Sequence, residues 1–225
     1  MRYPTLVARA IVAKSRDSMA LYPQILQTQR SFTEVPEERM TALQAIIQFL
    51  QQKRQADSDI RLLFVCTHNS RRSILSQVWA QTWAHHFGIH RLTAYAAGTE
   101  TTEVYPLVLE TLQKQGFRVE SLSEGNNALS LIKYAPNAAP ILGFSKSLGH
   151  FMLPETVFAA IMTCDHAQEH CPVVPGAEAR FPLTYEDPKA FDGTPRAEEA
   201  YHHRSLQIAG EWYYIFHQLS QLPKP

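Results

Sequence analysis

Residues 61–83 read RLLFVCTHNSRRSILSQVWAQTW, and this stretch decides the fold. Residues 61–65 form a short apolar run that is typical of a buried strand. A polar turn follows, and apolar side chains then recur at helical spacing through Ile74, Val78 and Trp83. The stretch therefore predicts a strand, a loop and a helix, which together begin a βα unit.

The same alternation continues along the chain. Residues 92–96 are a second candidate strand, closed by Gly98, and residues 105–115 a second helix, closed by Gly116. Further candidate strands cover residues 157–163 and 179–183, and apolar residues at helical spacing between Tyr201 and Leu219 predict a closing helix. The pattern favours parallel βα units.

Two segments depart from this pattern and predict additional structure. Residues 1–58 are interpreted as a helical N-terminal extension, because Pro36 opens a segment in which apolar residues recur at helical spacing up to Leu50. Residues 125–150 are interpreted as an inserted hairpin, with a turn over residues 135–140. The predicted organisation is an extension, 1–58, and one domain, 59–225, that carries the insertion.

Composition excludes several classes of protein. The 225 residues are 45% hydrophobic, which is enough for one sizeable core with an appendage. The formal charge is zero, with 21 basic and 21 acidic residues, so no global field favours nucleic acid or anionic lipid. No apolar run is typical of a signal peptide or a membrane span, and three cysteines do not make a secreted disulfide framework. We expect a soluble cytoplasmic protein with reduced thiols.

The loop after the first strand predicts an oxyanion site. Cys66 and Arg72 fit the pattern C-x5-R-[ST], with the cysteine at the carboxyl end of a strand, where open α/β sheets place their ligands. The loop amides and the N-terminus of the following helix can surround a tetrahedral anion, which Arg72 can grip bidentately. The predicted oxyanion-binding residues are Thr67, His68, Asn69, Ser70, Arg71 and Arg72.

The same surroundings predict a reactive thiol. Positive charge near Cys66 is expected to lower its pKa, Ser73 to donate to the sulfur, and Asn69 to fix the loop. The alternative is a buried structural cysteine followed by a solvated arginine pair. His68 is expected at the rim of the site rather than as a base.

Cys164 and Cys171 form a second cysteine motif, CDHAQEHC. A straight helix would separate their Cα atoms by about 10.5 Å, too far for a disulfide. Three interpretations remain open: two inert thiols, a crowded zinc site that also uses His166 and His170, and a redox relay with Cys66. A relay would require the intervening segment to unwind.

Asp187 is the candidate general acid. It lies in the segment Tyr185-Glu186-Asp187-Pro188 after the fourth candidate strand, where a carboxylic acid can protonate an oxygen that leaves the substrate. An Asp-Pro pair alone is only a turn signal. Its position after the cysteine loop is what favours a catalytic role.

These motifs together resemble the low-molecular-weight protein tyrosine phosphatase superfamily over about residues 60–220. The resemblance implies a four-stranded parallel sheet with helices on both faces. The cysteine pair resembles that of the thioredoxin-coupled arsenate reductases within the superfamily. That resemblance implies that Cys66 attacks arsenate, Cys164 attacks the Cys66 sulfur and Cys171 resolves the disulfide, with thioredoxin as the reductant. No metal or other cofactor is predicted.

Three functions follow as hypotheses. The first is a thiol-dependent arsenate reductase with a role in arsenic detoxification. The second is a phosphatase that hydrolyses phosphomonoesters through Cys66, although Lys189, Ala190 and Phe191 stand where the phosphatase branch has paired tyrosines. The third is a noncatalytic oxyanion-binding or redox-sensing protein. The predicted catalytic residues are Cys66, Ser73, Arg72, Asp187, Cys164 and Cys171.

Overall fold

The computed structural model describes residues 20–170 and 173–223, except for the side chain of His170. Short 3-10 helices cover Thr28–Ser31 and Pro188–Phe191. The other elements, in chain order, are α1 (Pro23–Gln27), α2 (Glu37–Gln55), β1 (Ile60–Cys66), α3 (Arg72–His86), β2 (Leu92–Gly98), α4 (Pro106–Lys114), β3 (Arg118–Ser121), β4 (Ser130–Lys133), β5 (Ile141–Gly143), β6 (Phe158–Met162), α5 (Asp165–His170), β7 (Ala177–Pro182) and α6 (Ala197–Gln221).

The central sheet has four parallel strands in the order β2-β1-β6-β7. The two inner strands are almost wholly buried, which explains why β1 and β6 have continuous apolar sequences. Helices lie on both faces, so the predicted fold class is confirmed. Because the strands are parallel, the segments that follow Cys66, Gly98, Met162 and Pro182 all leave the sheet at one edge.

The two faces of the sheet are covered unequally. On one face Phe64 packs edge-on against Trp212 of α6, with ring centroids 5.1 Å apart, in a core that includes residues of α2, α3 and α4. On the other face Val65 and Met162 join a smaller cluster with Ala167 of α5 and Leu153. This smaller cluster also contains Cys66 and Cys164, so both thiols lie on the thinly covered face.

The predicted hairpin is present, but it belongs to a second sheet. Strands β4 and β5 pair antiparallel, and β3 pairs with β4 on the other side. Strand β3 was not predicted, because its residues Arg118, Glu120 and Ser121 are exposed and leave no apolar pattern that would mark a strand.

The described part of the extension packs on the main core. Leu43, Ile46 and Leu50 of α2 are fully buried, and Ile25 of α1 is buried beside them. Residues 1–19 of the predicted extension lie outside the described residues. The division at residue 58 stays a prediction. Within the described ranges, no helix is long and apolar enough to cross a membrane.

Candidate active site

The Cys66 loop connects β1 to α3 at the carboxyl edge of the sheet. Cys66 is the last residue of β1, and α3 begins at Arg72, so the loop consists of residues 67–71. Gly98, at the end of β2, lies directly against it. A Cβ atom at Gly98 would stand 2.6 Å from the Thr67 carbonyl oxygen and 2.8 Å from the Asn69 nitrogen. The absence of a side chain at position 98 therefore allows the loop to pack on β2.

The Cys66 sulfur is buried and accepts hydrogen bonds from the loop and the helix. The Asn69 backbone N–H donates to Sγ at 3.1 Å, and the Ser73 Oγ lies 3.1 Å from the same sulfur. The Asn69 side chain donates from Nδ2 to Ser73 Oγ at 2.8 Å. Because Ser73 accepts that bond, its own hydroxyl proton is free to point at the sulfur.

Asn69 joins the loop to the rest of the molecule. Its backbone has φ 48°, a left-handed conformation that asparagine adopts more readily than most residues. Its Oδ1 accepts a 3.0 Å hydrogen bond from the Lys146 backbone N–H, while its Nδ2 holds Ser73. The segment after the inserted hairpin therefore helps to fix the loop through one fully buried amide.

The expected lowering of the Cys66 pKa is wrong. Burial raises the pKa of the thiol, and the nearby Cys164 raises it further, against the lowering effects of the Ser73 hydrogen bond and the Arg72 charge. The desolvation of a fully buried sulfur outweighs those two favourable contacts. The expectation considered the charge of Arg72 but not the depth of the sulfur.

Arg72 and Asp187 form an ion pair. Arg72 donates from Nη2 to Asp187 Oδ2 at 2.6 Å and from Nη1 to the Tyr185 carbonyl at 2.8 Å. The Asp187 Oδ1 also accepts from the Lys189 N–H and so caps the 3-10 helix Pro188–Phe191 at its N-terminus. The cysteine loop and the Asp-Pro loop, 115 residues apart in sequence, are thus brought together.

Arg71 is bound to groups outside the loop. Its Nη2 donates to Asp192 at 2.7 Å, its Nε donates to the Tyr201 hydroxyl, and its guanidinium lies 4.2 Å from the centroid of the Tyr105 ring. Asp192 therefore balances the second loop cation in this structure. Its part in anion binding stays a prediction.

The other loop residues face partners around the rim. His68 is 3.4 Å from a carboxylate oxygen of Glu100, and its side chain is partly exposed to solvent. Its carbonyl accepts a 2.8 Å hydrogen bond from Ser145, which follows the hairpin. The Ser70 carbonyl accepts a 3.1 Å hydrogen bond from the Tyr105 N–H.

Cys164 lies beside the Cys66 loop. Its sulfur is 3.6 Å from the Thr67 hydroxyl and accepts a 3.3 Å hydrogen bond from the Ala167 N–H in the first turn of α5. The Thr67 hydroxyl also lies 3.3 Å from Nδ1 of His166. Cys171 is outside the described residues, so its place is not given by the structure. The structure therefore brings together Cys66, Ser73, Arg72, Asp187 and Cys164.

The zinc interpretation concerns the same segment. Among residues 20–170 and 173–223, no three His, Cys, Asp or Glu residues are grouped to hold a metal ion. Cys171 and the side chain of His170 fall outside that description.

Sequence reasoning missed a buried ionic network behind the acid loop. Arg39 of α2 donates to both carboxylate oxygens of Glu211, at 2.9 and 2.8 Å, and to the Thr184 carbonyl. The Tyr185 hydroxyl donates to the same carboxylate at 2.9 Å. Burial and the Glu211 charge raise the pKa of Tyr185 well above its usual value. No local pattern marks these residues, because the partners come from three distant segments.

Comparisons with known proteins agree with the predicted family resemblance. The sequence model of the family described as low molecular weight phosphotyrosine protein phosphatase matches residues 61–131, which include the Cys66 loop. The resemblance inferred from the sequence is thus confirmed over this part of the chain. No curated protein matches the sequence.

Solved structures of both branches are similar to the chain. A low molecular weight phosphotyrosine phosphatase from Vibrio cholerae O395 is 14% identical, with 71% of this chain and 95% of that chain covered at a TM-score of 0.47. A low molecular weight protein tyrosine phosphatase from T. tengcongensis is 18% identical, with 71% and 99% covered, at 0.47. An arsenate reductase in a phosphate-binding state is 14% identical, with 71% and 98% covered, at 0.44.

Proposed function

We propose that this protein is a thiol-dependent arsenate reductase that uses Cys66 as nucleophile and Cys164 as the second redox thiol. One observation carries the proposal: Cys164 is buried against the Cys66 loop, with its sulfur 3.6 Å from the Thr67 hydroxyl. A phosphatase has no chemical need for a second thiol at this place, whereas a reductase requires one.

The first step is attack on the oxyanion. The Cys66 thiolate forms a bond to arsenic(V), and one arsenic oxygen leaves as water after protonation, for which Asp187 is the proton donor. Arg72 and the loop amides hold the remaining oxygens. The hydrogen bonds that Asn69 and Ser73 give to Sγ, together with the Arg72 charge, support the thiolate.

The second step is the reduction. The Cys164 thiolate attacks the Cys66 sulfur, the sulfur–arsenic bond breaks, and its electron pair goes to arsenic, which leaves as arsenite. The two cysteines are oxidised to a disulfide as arsenic(V) is reduced to arsenic(III). Cys171 then attacks the Cys164 sulfur, the Cys66 thiolate is released, and an external dithiol such as thioredoxin reduces the Cys164–Cys171 disulfide.

The last exchange requires α5 to unwind. The helix covers Asp165–His170, so the two cysteines flank it. A straight helix would hold their Cα atoms about 10.5 Å apart, beyond the range of a disulfide. The oxidised and reduced proteins should therefore differ in this segment.

The experiment is steady-state arsenite production with thioredoxin, thioredoxin reductase and NADPH, beside single-turnover assays of cysteine variants. We expect Cys164→Ser to release no arsenite. We expect Cys171→Ser to release about one equivalent and to trap a Cys66–Cys164 disulfide that mass spectrometry detects. Sustained arsenate-dependent NADPH oxidation in Cys164→Ser would rule out the relay.

A phosphatase is the second candidate, and the position of Asp187 favours it. The carboxylate lies 2.6 Å from Arg72, in reach of the leaving oxygen of an ester held by that arginine. Cys66 would bond to phosphorus as the ester bond breaks, Asp187 would protonate the alcohol, and water would hydrolyse the phosphocysteine. Rapid para-nitrophenyl phosphate turnover that survives Cys164→Ser and Cys171→Ser would favour this reaction.

The third hypothesis, a noncatalytic sensor, predicts that phosphate binds and that Cys66 oxidises but that neither substrate turns over. The two assays above separate it from both enzymes, since it predicts no product in either.

A further inference from the structure

A cleft that is separate from the Cys66 loop lies between the free edge of β2, helix α3 and the inserted hairpin. It has a volume of about 310 Å³, and none of residues 66–73 lines it. Strand β5 does not close it by pairing with β2. Instead, the Gln77 amide donates to the Ala94 carbonyl at 3.0 Å, and Gln81 binds the N–H of the same residue at 2.9 Å. Most of the lining is apolar or aromatic, including Leu92, Tyr95, Tyr134, Ile141, Leu142 and Phe144.

Lys146 places a cation in this apolar lining. The residue is only 4% exposed, and its ammonium donates to the Phe144 carbonyl at 3.1 Å and lies 4.3 Å from the centroid of the Phe144 ring. Within the described ranges no carboxylate lies within ion-pair distance of it. Burial lowers the pKa of Lys146 to about 8, so the side chain is still mostly protonated at neutral pH. A buried cation without a counter-ion is costly unless a ligand supplies the charge.

We propose that this cleft binds a small apolar carboxylic acid, whose carboxylate pairs with the Lys146 ammonium. The single cationic side chain of the lining matches a monoanion, whereas a phosphate dianion would retain an unpaired charge. A volume of 310 Å³ corresponds to about ten water molecules, which suits one aromatic ring with its substituents.

The cleft adjoins the Cys66 site without sharing its chemistry. The Lys146 backbone N–H binds Asn69 Oδ1, but the Lys146 side chain extends into the cleft lining instead. Binding there does not depend on which reaction Cys66 performs, and it can be tested on the resting protein.

The test is calorimetric titration with benzoate and benzamide, which share one ring and differ in charge. We expect benzoate to bind at least about tenfold more tightly than the uncharged amide, because only the carboxylate can make a charge-assisted hydrogen bond to the Lys146 ammonium. Lys146→Met should weaken benzoate binding by a similar factor, since the same hydrogen bond is lost.

The matched control is Lys133→Met. Lys133 is on the same hairpin, but its ammonium binds the Pro136 carbonyl and it does not line the cleft. This variant should bind benzoate like the unaltered protein. Equal benzoate binding by Lys146→Met, or no benzoate binding by the unaltered protein, would overturn the proposal. Thermal unfolding establishes that each variant is folded.

Discussion

Arg72 donates to Asp187 across 2.6 Å, so the arginine that is proposed to grip the substrate is already paired with the proposed general acid. The side chains are 13% and 35% exposed, so solvent weakens the pair only in part. An anion that enters the loop must compete with the Asp187 carboxylate for Arg72. We therefore expect the pair to influence both the affinity for the proposed anion and the position of the proposed acid.

Asp187→Asn separates these two effects. Loss of the carboxylate frees Arg72, and we expect inorganic phosphate and arsenate to bind up to about fivefold more tightly. Ester hydrolysis should fall by roughly 10²- to 10⁴-fold, because the amide cannot donate a proton to the leaving oxygen. Calorimetry and para-nitrophenyl phosphate assays measure the two effects. Glu186→Gln is the control, since Glu186 pairs with Arg204 and not with Arg72.

Ser73→Ala should make the Cys66 thiol less acidic. The Ser73 hydrogen bond lowers the pKa of a thiol whose pKa burial already raises, so its loss raises the pKa further. The pH profile of iodoacetamide alkylation should move to higher pH. Ser76→Ala removes a buried hydroxyl from the same helix, one that has no partner among the described residues, and should leave the profile in place. A profile unmoved by Ser73→Ala would contradict the assigned contact.

Gly98→Ala should disable the loop and preserve the fold. A methyl group would stand 2.4 to 2.8 Å from three backbone atoms, of Glu100, Thr67 and Asn69, so the loop must shift. We expect phosphate binding to fall by about tenfold or more, because a loop that has moved no longer directs its amides at one point. Gly210→Ala, whose nearest new contact is 3.4 Å from Phe32, is the control. Unchanged phosphate binding in Gly98→Ala would refute this account.

Arg39→Met should destabilise the protein. It leaves the Glu211 carboxylate, only 2% exposed, without its ionic partner. The expected loss is about 3 kcal/mol in free energy of unfolding, the lower end for a broken buried pair, because Arg39 is itself partly exposed. Urea denaturation measures it. Arg39→Met combined with Glu211→Gln should recover part of the loss, and a fully additive double variant would argue against a direct coupling.

Lys146 makes stability depend on pH. Its folded-state pKa of about 8 lies below the ordinary 10.5, so the unfolded chain binds the proton more tightly between these values. The cost of burying the charge is present in full below pH 8 and disappears as the pH rises toward 10.5. The stability advantage of Lys146→Met should therefore shrink by about 2–3 kcal/mol between pH 7 and 10. Tyr95 and Tyr134 of the same cleft are common to both proteins, so the difference isolates Lys146.

Local patterns were sufficient where one segment carries the whole signal. The apolar run before Cys66, the helical spacing after Ser73 and the C-x5-R spacing between them are all local, and they predicted β1, the loop and α3. The parallel sheet followed from the repetition of such units. The hairpin was recognised by its turn, whereas β3 was missed because its side chains are exposed.

By itself, the sequence determined the βα order, the fold class and the position of the loop between β1 and α3, because hydrophobic period and loop spacing are properties of neighbouring residues. Only the tertiary structure decided that Asp187 closes on Arg72, that Asp192 balances Arg71 and that Arg39 holds Glu211. It also decided that burial raises the pKa of Cys66, which a count of nearby charges had predicted to fall. Desolvation and long-range ion pairing depend on which surfaces meet in three dimensions, and no local pattern encodes that meeting.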